Sequence, residues 1–339
     1  MKIAIATDAW APQVNGVVRT YENTCKALQD MGHELLLLTP QDYKTIPCPS
    51  YPSIRLALRP GPRLTRNLDA FEPEAIHVAT EGPIGHAARR YCRQRQLPFT
   101  TSFHTQFPEY MRMRAPIPLD WIYAYMRRFH AVAERTLVPT PSQRQRLLDR
   151  GFQHVEVWSR GVDTDLFKPG DKDFLDYPRP IFLYMGRVAV EKNIEAFLRQ
   201  DLPGSKVVVG DGPDLAKLKQ QYPETKFSGY KFGEELAQHI AAADVFVFPS
   251  LTDTYGLVML EAMACGVPVA AFPITGPIDV VRPGETGILD QDLRAAALAA
   301  LELEPKACID YAHAHSWQRC TETFVSHLAP IPAKARLSA

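Results

Sequence analysis

Short apolar runs alternate with amphipathic segments along most of this chain, and that alternation restricts the fold more than any other feature. KIAIAT (2–7) is followed by a helical pattern from Gly16 to about Met31, and then by HELLLLT (33–39). Further apolar runs stand at IRLAL (54–58), AIHVA (75–79), PFTTSF (98–103), RTLVPT (135–140) and VEVW (155–158). Short runs of this kind suit strands buried on both faces, and the helical stretches between them supply the crossovers of a parallel sheet. From 168 to 180 the text changes to KPGDKDFLDYPRP, rich in Pro and Asp, which reads as a linker. A second series follows, with PIFLYMGR (180–187), SKVVVGDGP (205–213), TKFSGY (225–230), ADVFVFPS (243–250) and VPVAAF (267–272). The expected fold class is α/β, with similar domains at residues 1–170 and 171–305 and C-terminal helices at 306–330. Ligands of such sheets bind at the carboxyl ends of the strands, so a shared site is expected in the interdomain cleft.

The 339 residues are enough for two cores, and 46% hydrophobic with 22% charged side chains is ordinary for a soluble protein. No apolar run approaches the roughly 18–20 residues of a membrane span. The first residues are too polar for a signal peptide. Six cysteines without a CxxC pair suggest reduced thiols in a cytosolic protein. A net charge of zero hides a basic first half and an acidic second half. The basic half fits an anionic surface such as a membrane leaflet, although opposite halves of this kind also arise by chance.

The densest chemistry lies in PSLTDTYGLVMLEAMACGVPV (249–269). Asp253 stands at a strand-to-helix turn, and Glu261 follows eight residues on, read as two turns into a helix. On one helix they would share a face about 12 Å apart. Free amides at the helix start offer an anion site between them. That spacing suits a nucleotide carrying a group on its diphosphate. In MGRVAVEKN (185–193), Arg187 and Lys192 lie past a strand end, where two cations beside helix amides can neutralise a diphosphate. Isolated, such a pair is a solvated surface feature. GDGPD (210–214) places Gly212 in a second strand-end turn. The first loop, TDAWAPQVNGVVRT (7–20), lacks GxGxxG and has only Gly16 at its helix start, which argues against a dinucleotide dehydrogenase. The absence of GxxxxGK[ST] argues against an NTPase. His104 follows a strand in TSFHTQFPEY (101–110). MRMRAPIPLDWIYAYMRRFH (111–130) mixes Arg112, Arg114, Arg127 and Arg128 with aromatics. It reads either as a helix packing its aromatic face inward or as an interfacial segment whose arginines hold lipid phosphates.

These residues together resemble the retaining glycosyltransferases of family 4, which have two facing Rossmann-like domains (the GT-B fold). The resemblance runs from the Gly16 loop through Arg187, Lys192 and GDGP to DTYGLVMLE and EAMACGVPV. FHTQFPEY and WSRGVDTDLF (158–167) resemble most the bacterial lipid glycosyltransferases, among them diacylglycerol glucosyl- and glucuronosyltransferases, sulfoquinovosyl-diacylglycerol synthases and GDP-mannose-dependent mannosyltransferases. The resemblance implies that Glu261 binds the ribose. It implies that Asp253, with the amides of Thr254, Tyr255, Gly256 and Leu257, holds the sugar. Arg187 and Lys192 grip the diphosphate, Gly16 approaches it, His104 touches the sugar and Tyr230 meets the base. The family's first acid is usually Glu, so Asp253 is a departure that bears on the sugar contact. DTD at 163–165 has the spelling of a metal motif but reads as a turn beside the linker, and no metal or cofactor is expected.

The leading expectation is a metal-independent transfer of a hexose from a UDP-sugar to a membrane lipid such as diacylglycerol, by an enzyme peripheral on the inner face of the cell membrane. The resemblance implies front-face attack, with the leaving phosphate taking the acceptor's proton. The alternatives are a GDP-mannose-dependent mannosyltransferase on a phosphoinositide-like lipid or soluble sugar, and a silent nucleotide-sugar sensor. A nucleotide-sugar epimerase of similar fold is a weaker alternative, because the additional acid/base carboxylates such an enzyme needs are not identifiable in this sequence. No nucleic-acid partner is expected, and the sequence encodes no legible oligomeric state.

Overall fold

The computed structural model describes residues 1–13, 15–48, 51–104, 118–253 and 255–333. The chain divides into two compact units, Met1–Ser159 with Trp317–Ala339, and Arg160–Ser316.

In the first unit the elements are β1 (Lys2–Ala6), α1 (Gly16–Asp30), β2 (Glu34–Leu38), β3 (Thr45–Cys48), β4 (Tyr51–Ala57), α2 (Gly61–Phe71), β5 (Ala75–Val78), α3 (Pro83–Gln94), β6 (Thr100–Ser102), α4 (Leu119–His130), β7 (Arg135–Val138), α5 (Pro141–Asp149) and β8 (Val155–Val157). Six strands form a parallel sheet in the order β2-β1-β5-β6-β7-β8. Ile3 and Ile5 enter one apolar core while Ala4 and Ala6 enter another, so the strand alternates between two covered faces. IRLAL, expected as a strand of this sheet, belongs instead to β4, which pairs antiparallel with β3 in a separate hairpin. Pro47 and Pro52 in that hairpin lack ladder donors, which suits an edge pair rather than a central strand.

The second unit contains β9 (Ile181–Met185), α6 (Ile194–Leu198), β10 (Ser205–Val209), α7 (Leu215–Gln221), β11 (Lys226–Gly229), α8 (Gly233–Ala241), β12 (Val245–Phe248), α9 (Leu257–Ala264), β13 (Val269–Ala271), α10 (Pro277–Val280), β14 (Gly287–Leu289), α11 (Leu293–Ala300) and α12 (Pro305–His313). Its parallel sheet runs β11-β10-β9-β12-β13-β14, the strand order of a doubly wound nucleotide-binding sheet. Ile181, Leu183 and Met185 pack on one face, Phe182 and Tyr184 on the other. Both halves are therefore Rossmann-like.

The first boundary falls after Ser159, earlier than the expected 170. Within the Pro/Asp-rich stretch Leu175 is buried in the core of the second unit and Tyr177 packs against it, so the stretch is a packed strap and not a linker. The C-terminal helices divide between the units. Helix α12 stays with the second, and α13 (Trp317–His327) sets Cys320 and Phe324 into the core of the first beside Ile3 and Ile5.

Candidate active site

In the second sheet the chain reverses its order of travel between β9 and β12, and loops at such a point form ligand sites in open α/β sheets. The β9 loop carries Arg187, exposed, and a single 3-10 turn, Val190–Lys192. The β12 loop carries Pro249 through Asp253. Side chains fasten the two loops together. Asn193 Nδ2 donates to the Pro249 carbonyl at 3.0 Å, and Thr252 Oγ1 to the Glu191 carbonyl at 3.2 Å. Lys192 Nζ donates to both carboxylate oxygens of Asp253, at 2.6 and 2.9 Å. These two side chains are 25% and 19% exposed, so their pairing is partly shielded from water. Behind them Tyr184, fully buried, donates its hydroxyl to the Arg187 carbonyl at 3.0 Å. Burial pushes its phenol well above the ordinary value, and the negative charges of Asp253 and Glu191 push it further.

Gly256 takes φ +78°, and a β-carbon there would meet the Phe248 ring and Met259. This left-handed turn starts α9 at Leu257, so Asp253 precedes the helix. The expected helical spacing between the two acids therefore does not apply. Asp253 lies on no helix face, and Glu261 is just over one turn into the helix rather than two. Helix α9 is buried on nearly every side, and Glu261 is only 7% exposed within it. Tyr255 is buried with its hydroxyl donating to the Arg160 carbonyl at 3.2 Å, which gives its side chain a structural role. Thr254 lies outside the described residues.

Gly212 permits a close approach, but to the Val188 carbonyl, which a side chain there would strike. Val188 N–H donates to the Asp211 carbonyl at 2.9 Å in the same contact. Tyr230 is half exposed and stacks on Phe232, with ring centroids 5.7 Å apart and planes at 21°. Phe232 was not singled out in the sequence, where it is one aromatic ahead of a helix. In VDTDLF, Asp163 Oδ1 accepts from the amides of Asp165 and Leu166, which makes DTD a side-chain-capped turn. Among the described residues no three His, Cys, Asp or Glu side chains are grouped to hold a metal ion.

In the first unit His104 follows β6 and is 9% exposed. Its Nε2 is 2.7 Å from the hydroxyl of Tyr21 on α1. That hydroxyl is also 2.9 Å from His77 Nε2, while His77 Nδ1 is 2.8 Å from Thr100 Oγ1. Neither Tyr21 nor His77 carries a motif; each reads as a polar letter in an apolar pattern. Gly16 is exposed at the first position of α1, and apart from its chain neighbours and its own helix backbone no described atom lies within 4 Å of where its β-carbon would stand. The Asn15 side chain caps this helix by accepting from the amides of Val17 and Val18, each at 3.0 Å.

Helix α4 packs an aromatic and apolar face inward, as the first reading of its segment expects. Ile122, Tyr123, Met126 and Phe129 are buried, while Trp121 (73% exposed), Tyr125, Arg127 and Arg128 face solvent. Arg89 of α3 donates to the Phe129 and Arg128 carbonyls at 2.9 and 3.1 Å, which brings the exposed Arg90 and Arg93 of α3 to the same side of the unit. Arg112 and Arg114 lie outside the described residues. No helix among the described residues is long and apolar enough to cross a membrane.

Residues 14–166 match the family described as Glycosyltransferase Family 4, and residues 179–304 match Glycosyl transferases group 1. A GDP-mannose-dependent alpha-mannosyltransferase of Mycolicibacterium smegmatis is 33% identical over 332 residues, covering 88% of this chain and 87% of that one. The alpha-monoglucosyldiacylglycerol synthase of Streptococcus pneumoniae is 26% identical over 90% of this chain and 79% of its own. Among solved structures, Anabaena HepE in complex with UDP and glucose superposes with a TM-score of 0.71 at 15% identity, over 96% of this chain and 98% of that one. At that identity the likeness speaks for the fold.

Proposed function

The chain belongs to glycosyltransferase family 4 and is a nucleotide-sugar-dependent glycosyltransferase, and on that premise we propose that it moves a hexose from a UDP-sugar to a membrane lipid, diacylglycerol in the simplest case. The observation that carries the donor side is the joined pair of loops bearing Lys192 and Asp253, with Glu261 in the helix that follows. Arg187 and Lys192 neutralise the diphosphate, Glu261 holds the ribose hydroxyls, and Asp253 with the amides after it holds the sugar. Tyr230 meets the base. From the first unit, Gly16 leaves room for phosphate oxygens and His104 serves the sugar near its reacting carbon. The acceptor hydroxyl attacks the anomeric carbon on the face from which the diphosphate leaves. The bond from that carbon to the diphosphate breaks, and a departing phosphate oxygen takes the hydroxyl proton. The two cations meet the charge that develops there.

The lipid acceptor is supported by the likeness to the streptococcal synthase and by the solvent face of α4, where Trp121 and Tyr125 stand beside Arg127 and Arg128. Aromatics and arginines in that combination suit the headgroup region of an anionic leaflet, which makes the enzyme peripheral on the membrane. Incubation of the purified protein with UDP-glucose, UDP-glucuronate or GDP-mannose and diacylglycerol vesicles, read by mass spectrometry, tests this. Glycolipid from a UDP-sugar is expected, and its absence with every donor overturns the lipid acceptor.

A second reading has its own support in the relatives that are 30–33% identical and carry the name GDP-mannose-dependent alpha-mannosyltransferase. It keeps every donor-side residue role and changes the base, the sugar and the acceptor, the last to a phosphoinositide-like lipid or a soluble sugar. A larger rise in melting temperature with GDP than with UDP at equal concentration selects it.

A further inference from the structure

We propose that Asp253 is a specificity-determining counter-anion: its carboxylate occupies Lys192 until the donor's diphosphate displaces it, and this exchange makes the enzyme favour the nucleotide sugar over the nucleoside diphosphate that it releases. The inference rests on the reading of Lys192 as a diphosphate ligand and deepens it.

The geometry is that of an anion already bound. Both carboxylate oxygens of Asp253 lie within 2.9 Å of Lys192 Nζ. A pair this close and partly withdrawn from water is held more firmly than an exposed surface pair. It is also open enough for another anion to reach. The loops beneath it are tied independently by Asn193 to Pro249 and by Thr252 to Glu191. Turning the Asp253 side chain away therefore releases the ammonium without taking the two loops apart.

The exchange has different consequences for substrate and product. A nucleotide sugar brings a diphosphate for Lys192 and hydroxyls for the carboxylate that it displaces, so both charges find new partners. A nucleoside diphosphate brings only the first. It leaves Asp253 displaced beside a bound dianion, with no sugar hydroxyl to accept its charge. The product is thus held less tightly than its phosphates alone would allow.

The test is titration calorimetry of the full chain with UDP and with GDP, beside steady-state turnover. Asp253→Asn removes the competing charge at nearly constant volume. It is expected to bind the preferred diphosphate about tenfold more tightly than the native enzyme while turnover falls about 100-fold. Asp253→Glu retains the charge and is expected to keep the native, weaker diphosphate affinity. Unchanged or weaker diphosphate binding in a folded Asp253→Asn overturns the proposal. Asp253→Ser carries the same expectation should the amide not fold, and failure of both to fold assigns the carboxylate a purely structural role and also overturns it. Lys192→Met separates the underlying reading: if it leaves diphosphate affinity unchanged, Lys192 does not hold the diphosphate at all.

Discussion

The hydroxyl of Tyr21 stands 2.7 Å from Nε2 of His104 and 2.9 Å from Nε2 of His77, so one buried phenol joins two imidazoles. A hydroxyl has a single proton to give, and whichever ring receives it, the other must donate its own N–H to the phenol oxygen. Ser102 Oγ, 2.9 Å from the same nitrogen of His77, adds a further polar partner to the chain. The tautomer of His104 is thereby coupled to groups that never meet solvent.

Replacing Tyr21 by Phe keeps the ring packing and removes that coupling. Turnover is expected to fall about tenfold with donor KM changed less than threefold, and stability to drop by about 1 kcal/mol. Steady-state kinetics beside a urea melt separate the two effects. A native kcat in Tyr21→Phe removes the hydroxyl from the function of His104.

Gly256 is the residue that lets β12 turn into α9. At φ +78° any side chain is strained, and here it also strikes Phe248 and Met259. Gly256→Ala should cost about 1–3 kcal/mol and weaken nucleotide binding at least tenfold, because the helix carrying Glu261 is re-aimed. Thermal melting with and without nucleotide checks both figures.

The exposed side of α4 is open to a separable test. Trp121→Ala with Arg128→Ala should reduce flotation with vesicles containing anionic lipid severalfold, with no loss of donor binding. Raising the salt concentration should weaken the native interaction in the same direction. Equal flotation of the double variant and the native protein rejects this face as the contact.

Asp8 gives a stability prediction with a definite sign. Its buried carboxyl accepts from the amides of Ile84 and Gly85, at 2.9 and 3.2 Å, and from Thr80 Oγ1 at 2.9 Å, fixing the start of α3. Desolvation outweighs these hydrogen bonds and raises its pKa above the ordinary 3.8. The folded state therefore retains a proton there at pH values where the unfolded chain has lost it. The stability linked to this proton is present in full below pH 3.8 and is lost as the pH rises through the folded value. Relative to the native protein, Asp8→Asn should gain in stability as pH increases from about 4 to 7, whatever its constant offset from a lost amide partner. Urea melts across that range decide it; a flat difference contradicts the raised pKa.

The strands were legible because buried parallel strands are written as continuous apolar runs, and PIFLYM or DVFVF allows little else. Lys192 and Asp253 could be singled out because charge just past a strand end is conspicuous, and Glu261 because it is the lone charge in an apolar helical run. Their geometry was less accessible. The spacing of Asp253 and Glu261 read as helical, but the left-handed turn at Gly256 delays the helix past the first acid. Tyr21 and His77 were hidden for another reason: a polar atom satisfied by a distant strand looks the same in sequence as one facing water. The strap from Lys168 to Pro180 misled because Pro and Asp mark turns wherever turns occur, on a core as readily as between cores.

Helix α13 sets an order for the birth of the molecule. It closes the face of the first sheet that holds Ile3 and Ile5, and Trp158 there donates its indole N–H to the Cys320 carbonyl at 3.2 Å. A ribosome delivers every residue from Arg160 to Ser316 before Trp317 appears. The second unit therefore has all of its chain in hand while the first still exposes an apolar sheet face to solvent or a chaperone. Of the two units, the one whose strands come first is the one completed last.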